Sequence, residues 1–222
     1  MTTKRLVGLL LLLSTLGVLS ACAGLKAFQD PVKAGPFYAP KNFSGDPVMP
    51  AGIRRVVLLP VHTEGIAAPE TAASIDLALV SALQRQARFE VVVLTREESV
   101  RWFGAAEFAS TEALPPGYLP KLAAKFAADA VLFVDLTVYA PYRPMVIGFR
   151  AKLATVQEVR LVWTFDEVVS AGDPTVANRA RHEFLQTDRG SQPVDLSPTV
   201  LQNPSRFANF VAGAMFQTLP SR

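Results

Sequence analysis

Only one cysteine and two histidines occur among the 222 residues. A single cysteine excludes an intramolecular disulfide framework and every paired-thiol redox or zinc motif. The chain has no G-x-S-x-G, no Walker loop and no H-E-x-x-H. Nucleophile-elbow hydrolases, P-loop nucleotide enzymes and zincin metalloproteases therefore have no support in it. No internal repeat and no low-complexity segment is present. Charge is nearly balanced, with 22 basic and 19 acidic side chains. No motif calls for a cofactor or a metal.

What is present begins at the N-terminus. Lys4 and Arg5 precede the apolar run Leu6 to Val18, and Leu19-Ser20-Ala21 makes a small-residue exit. This is the layout of a secretory leader, and the run falls short of the roughly 20 residues of a transmembrane span. The only cysteine, Cys22, follows at once. The tetrad Leu19-Ser20-Ala21-Cys22 resembles the bacterial lipobox, in which the cysteine is acylated and becomes the mature N-terminus. Lipidation also removes an exposed thiol from an oxidising compartment. Ala23 stands where aspartate signals inner-membrane retention, so by analogy the expected address is the periplasmic face of the outer membrane. Loss of Lys4 and Arg5 with the leader leaves 20 basic against 19 acidic side chains, and no electrostatic case for nucleic acid.

The chain divides into a leader over 1–21, a lipidated N-terminus with a proline-punctuated tether over 22–50, and one globular domain over 51–222. Pro31, Pro36, Pro40, Pro47 and Pro50 break the tether. Parts of it are equally compatible with a coil docked through Phe37, Tyr38 and Phe43. Beyond it, "IRRVVLLPV" (53–61) reads as a buried strand, and Pro69 to Ala87 as a helix with Ala72, Ile75, Leu79 and Leu83 on one face. "FEVVVLT" (89–95) is a second strand, "REESVRWFG" a short helix stopped by Gly104, and Tyr118 to Ala128 a third helix with Leu122 and Phe126 inward.

Three strands follow at 130–140, 146–156 and 159–169. The first places Leu132, Val134, Leu136 and Val138 on one face, and the other two alternate apolar and charged residues. Short connections make them antiparallel neighbours with one wet side. Asp166 is expected on that side, paired with Arg150 or Arg160, and Glu167 on the opposite one. Asp173-Pro174 and Asn203-Pro204 each start a helix. The first is lined by Val176, Ala180 and Phe184, the second by Phe207, Phe210, Val211 and Ala214. The predicted fold is a single α/β domain with packed helices on a mixed sheet of about five strands, three of them a C-terminal antiparallel meander.

Few residues suggest chemistry. His62 follows a strand end, where a loop can hold a catalytic group, and a hydrolase using it with a nearby serine or acid is one reading. His182 falls on a solvated helix face beside Arg179 and Arg181. The stretch "VYAPYRPMVIGF" (138–149) concentrates Tyr139, Tyr142 and Arg143 in a turn between two strands. Aromatic residues and arginine are enriched at interface hot spots, so these three are the candidate partner-binding residues. A rigid hairpin whose tyrosines pack on their own sheet is the alternative.

"RRVVLLPV", "FEVVVLTREE", "ADAVLFVDLTVYAPYRP" and "RLVWTFDEVVSAGDPTVANRARHEF" together resemble a group of bacterial lipoproteins. Their fold is similar to that of the N-terminal domain of the Tol-Pal translocation protein, the curli secretion lipoprotein and the Pel polysaccharide lipoprotein. The resemblance spans about residues 53–187. It implies an anticodon-binding-like fold and a periplasmic role without catalysis, and it carries over no catalytic residue. Two departures stand out. No spare strand pair exists for the membrane hairpins of a curli-type pore, and the turn at Val156-Gln157-Glu158 lacks the glycine usual in tight hairpins.

The expected function is a non-enzymatic, lipid-anchored outer-membrane lipoprotein acting as adaptor or accessory in envelope assembly, secretion or cell-wall maintenance. Its partners would be the membrane, through Cys22, and an envelope protein or polysaccharide. A ring-forming subunit of an export apparatus is the alternative, so a homo-oligomer is compatible with the sequence.

Overall fold

The computed structural model describes residues 31–187 and 199–222. After a helical turn at Pro31–Ala34 the elements are β1 (Phe43–Gly45), β2 (Arg55–Leu58), α1 (Pro69–Gln84), β3 (Glu90–Val93), α2 (Arg96–Phe103), α3 (Tyr118–Phe126), β4 (Ala130–Ala140), β5 (Val146–Thr155), β6 (Leu161–Ser170), α4 (Pro174–Thr187), a 3-10 turn (Thr199–Leu201) and α5 (Pro204–Phe216). From β2 onward this is the element order expected from the sequence.

All six strands form one open mixed sheet in the order β1-β6-β5-β4-β2-β3. β2 runs parallel to both β3 and β4, and the other pairings are antiparallel. One face carries α1, α4 and α5, whose Leu79, Leu83, Val176, Phe207 and Val211 meet Leu58, Leu132, Phe149 and Trp163. The other face is covered by α3 and the loop before it, with Tyr118 and Leu122 against Val57, Val131 and Phe133. Strands β2 and β4 are thus buried on both faces, which is why they read as near-continuous apolar runs. Helices cover β5 and β6 on one face only, so those strands alternate. On their open side Arg150 meets Asp166 at 2.8 Å, as expected, while Arg160 reaches Asp46 instead.

Local signals set the helix ends. Thr95 and Glu98 form a reciprocal capping box on α2, and Gly104 ends it in the left-handed region at φ 84°. Asp173 accepts the Thr175 N–H at 2.8 Å, and the Asn203 side chain accepts the Arg206 N–H at 3.1 Å. Phe184, expected on the inner stripe of α4, lies outside the described side chains.

Three findings add to or differ from the sequence reading, the first of them taking the docked one of its two alternatives. Residues 35–50 lie on the domain. Tyr38 donates its N–H to Thr175 O, Asp46 donates to Val162 O, β1 adds a sixth strand beside β6, and Met49 is 3% exposed. Of the aromatics able to dock, Tyr38 packs on the core and Phe43 stays 45% exposed. Second, β6 begins at Leu161, after a loop in which Val159 takes φ 54° in place of a glycine. Third, β4 carries a bulge between Leu136 and Val138. Leu136 pairs with Phe149, but Val138 pairs with Gly148 and Tyr139 with Ile147. The extra residue, Thr137, reverses the phase, so Tyr139 rather than Val138 continues the helix-covered face.

Candidate partner-binding surface

The bulge decides where the hairpin residues go. Opposite it sits Gly148, where an added Cβ would lie 2.4 Å from Thr137 Oγ1 and 3.0 Å from Val168 Cγ2. The strand can carry the extra residue because no side chain occupies that point. Gly148→Ala is expected to lower the unfolding free energy by about 1–3 kcal/mol through overpacking, measured as a shift in the urea midpoint. An unchanged midpoint would mean that Thr137 and Val168 simply move aside.

Downstream of the bulge Tyr139 lies beside α1 and α5, in a cavity of about 190 Å³ shared with Thr71, Ser74, Ile75 and Ala208. Burial pushes its hydroxyl above the ordinary phenol range, opposed by a hydrogen bond with the Thr71 side chain. Tyr139 therefore anchors the hairpin. Met145 secures the other arm at 1% exposure, its carbonyl accepting the Ala171 N–H at 2.8 Å. Between these anchors Tyr142 is 85% exposed and Arg143 is exposed beside it. The structure thus separates the three candidate residues into one half-buried anchor and two projecting groups.

A polar cluster at the carboxyl ends of β2 and β4 escaped sequence reasoning. Arg96 places Nε 3.0 Å from Asp76, Nη1 2.5 Å from Glu107 and Nη2 2.8 Å from the Val61 carbonyl. The same two carboxylates accept the N–H groups of Val61 and Thr63 at 2.7 and 3.0 Å. Asp135, 5% exposed, accepts both the N–H and the hydroxyl of Ser110. The Asp76, Arg96 and Glu107 contacts fix the chain after β2 to α1, α2 and the 105–110 loop, and Asp135 ties that loop to β4. The signal that could have found it is Arg96 itself, a cation at a helix N-terminus where the dipole disfavours one.

His62 stands at the rim of this cluster, with Nδ1 4.0 Å from Asp135 Oδ1. Ser110 donates its hydroxyl to Asp135 rather than to the histidine. Its backbone bonds to Val134 and Leu136 extend the β2–β4 pairing. His182 is half-buried rather than fully solvated, its ring lying 4.7 Å from that of Phe37. Arg179 beside it donates to Tyr38 O and Glu183. Both hold the docked N-terminal segment. Among the described residues no group of three or more His, Cys, Asp or Glu is placed to hold a metal ion, and no helix is long and apolar enough to cross a membrane.

No family model matches the chain, and no curated protein matches it. Several solved structures do. The PelC dodecamer from Paraburkholderia phytofirmans matches at 12% identity and TM-score 0.45, covering 81% of this chain and 96% of that one. Lipoprotein GNA1162 from Neisseria meningitidis matches at 20% identity and TM-score 0.42, over 53% and 82%. The LpoB C-terminal domain from Escherichia coli matches at 16% and 0.35, also over 53% and 82%. The group that the sequence resembles is represented among them. Each is a low-identity likeness, and none assigns a function to this chain.

Proposed function

We propose that this protein is a lipid-anchored accessory of the bacterial envelope, acylated on Cys22, held at the periplasmic face of the outer membrane, and working by binding rather than catalysis. The carrying observation is the lipobox tetrad at Leu19–Cys22 behind a charged start and an apolar run. Anchoring by one acyl chain is marginal, at roughly 0.8 kcal/mol per buried methylene, and a multiply acylated cysteine makes it stable. From Cys22 to Pro31 the chain reaches at most about 30 Å, so the domain would work close to the bilayer. The projecting pair Tyr142 and Arg143 would meet an envelope protein or polysaccharide.

Two variants of the full chain test this. Cys22→Ala is expected to abolish metabolic labelling by palmitate and to move the protein from the outer-membrane fraction to the soluble one; retained labelling would sink the anchor assignment. Tyr142→Ala with Arg143→Ala should leave membrane attachment intact and the melting temperature unchanged. Chemical cross-links in intact cells should be lost from the double variant, and an unaltered cross-linking pattern would exclude the hairpin tip as the binding surface.

A further inference from the structure

The sheet ends at β3, and among the described residues no strand pairs with that edge. Glu90 and Leu94 donate their N–H groups inward to Arg54, just before β2, and to Leu58 at its end. In a parallel ladder the alternate residues face the other way, so the N–H and C=O groups of Val91 and Val93 point out of the sheet. Natural edges are usually blunted by charge, proline, a bulge or a covering element. This one has a single charge, Glu90 at its start, ion-paired inward with Arg55 of β2 and followed by three consecutive valines, of which Val93 is 38% exposed. Beside it runs a groove of about 360 Å³ between β3 and α1, lined by Leu59, Pro60, Ala73, Leu77 and Val80. Leu77 is 73% exposed, although it belongs to a helix whose opposite face forms the core.

The charges at the two ends of the edge are opposite and unused. Arg88 stands two residues before β3 and Glu97 four residues after it, in the first turn of α2, and neither is in an ion pair among the described residues. An edge with apolar residues at its centre and opposite charges at its ends is complementary to itself when turned end for end.

We propose that two copies of this chain pair antiparallel through β3 about a twofold axis at Val92, joining their sheets into one. In that register Val91 of each copy faces Val93 of the other. The four outward N–H groups and four outward carbonyls are then matched in reciprocal pairs. Arg88 of each copy comes to the same end as Glu97 of the other, within one residue of direct opposition. Leu77 and Val93 of the two copies gather on one side of the joined sheet, which covers the groove. The pairing is independent of the anchor and of the hairpin tip, which lies away from this edge on the β4–β5 side of the sheet.

The register sets the test. Val92 would face its own copy as a non-hydrogen-bonded pair, with Cα atoms about 4.5 Å apart, a separation that a disulfide spans. The full chain carrying Val92→Cys, oxidised in its native membrane, is expected to give a band of twice the chain mass, several-fold above the wild-type chain and above Ser44→Cys on the opposite edge strand. Adding Val93→Pro removes an outward N–H without touching the β2 ladder and should abolish that band, while circular dichroism shows the fold retained. Cross-linking at the level of the two controls overturns the proposal. So does a band that survives Val93→Pro, or one of a mass other than two chains.

Discussion

Arg96→Ala is expected to be among the most damaging single substitutions outside the apolar core, lowering the unfolding free energy by about 3 kcal/mol or more. Arg96 lies between Asp76 and Glu107, and all three side chains are between 22% and 25% exposed. Removing the cation leaves two carboxylates near each other in a poorly solvated place, Asp76 held by the Val61 N–H and Glu107 by the N–H and hydroxyl of Thr63. Breaking such a group costs more than the intact group contributes, because uncompensated charge stays behind. Arg96→Lys should recover only part of the loss, since an ammonium cannot reach two carboxylates and the Val61 carbonyl in a fixed fork.

The pH dependence of this variant is distinctive. Burial raises the Glu107 carboxyl, but the Thr63 N–H and the Arg96 guanidinium outweigh it, so the group sits below the ordinary glutamate range. A depressed carboxyl contributes stability that is present above its unfolded value and is lost as pH falls through its folded one. Asp76 is displaced the opposite way, because burial outweighs the Val61 N–H and Arg96. Its raised carboxyl favours the folded state at low pH, and that contribution is lost as pH rises. Without Arg96 both carboxyls move upward. The destabilisation of Arg96→Ala should therefore be greatest near neutrality and shrink as pH falls toward the ordinary carboxylate range, measured by urea unfolding across pH. A penalty constant over that range would show that Arg96 acts through packing alone.

The second large effect belongs to Trp163. It is 1% exposed, stacks on Phe165 at 6.2 Å between centroids, lies 6.4 Å from the Phe216 ring and donates Nε1–H to Thr218. Trp163→Ala is expected to cost about 3–5 kcal/mol, a large share of a total near 5–15 kcal/mol for a domain. The damage should reach the N-terminal segment as well. Gly45 of β1 packs on this indole so closely that a Cβ there would lie 3.1 Å from Trp163 Cδ1. Hydrogen exchange at the β1 amides should then rise more than at β4, whose pairings with β2 and β5 remain. Equal increases in both strands would mean that β1 does not rest on Trp163. Trp163→Phe keeps most of the ring and should lose about 1 kcal/mol with the Thr218 bond.

Much of the architecture was written in local pattern. Leu132, Val134 and Leu136 alternate toward one face, Ala72, Ile75, Leu79 and Leu83 repeat at helical spacing, and Asp173-Pro174 and Asn203-Pro204 announce helix starts. These signals arise within a few residues, where side-chain period and backbone geometry are directly linked. The Arg150–Asp166 pair was legible for the same reason, since antiparallel register follows from a short connection. Cys22 and the preceding tetrad that resembles a lipobox are likewise matters of sequence.

Tertiary structure alone decided the rest. Residues 43–45 have no strand signal of their own and become β1 because the edge of β6 and the surface of Trp163 lie beside them. The bulge at Thr137 arises across the ladder from Gly148, and it sent Tyr139 inward while Tyr142 and Arg143 stayed outside. Asp76, Arg96, Glu107, Ser110 and Asp135 come from four separate segments, and their spacing in the chain carries no trace of their meeting. The open edge of β3 likewise depends on which strand the sheet leaves last. Sequence period fixes which face of an element is apolar; which elements become neighbours is set by closing long stretches of chain, and that no local pattern records.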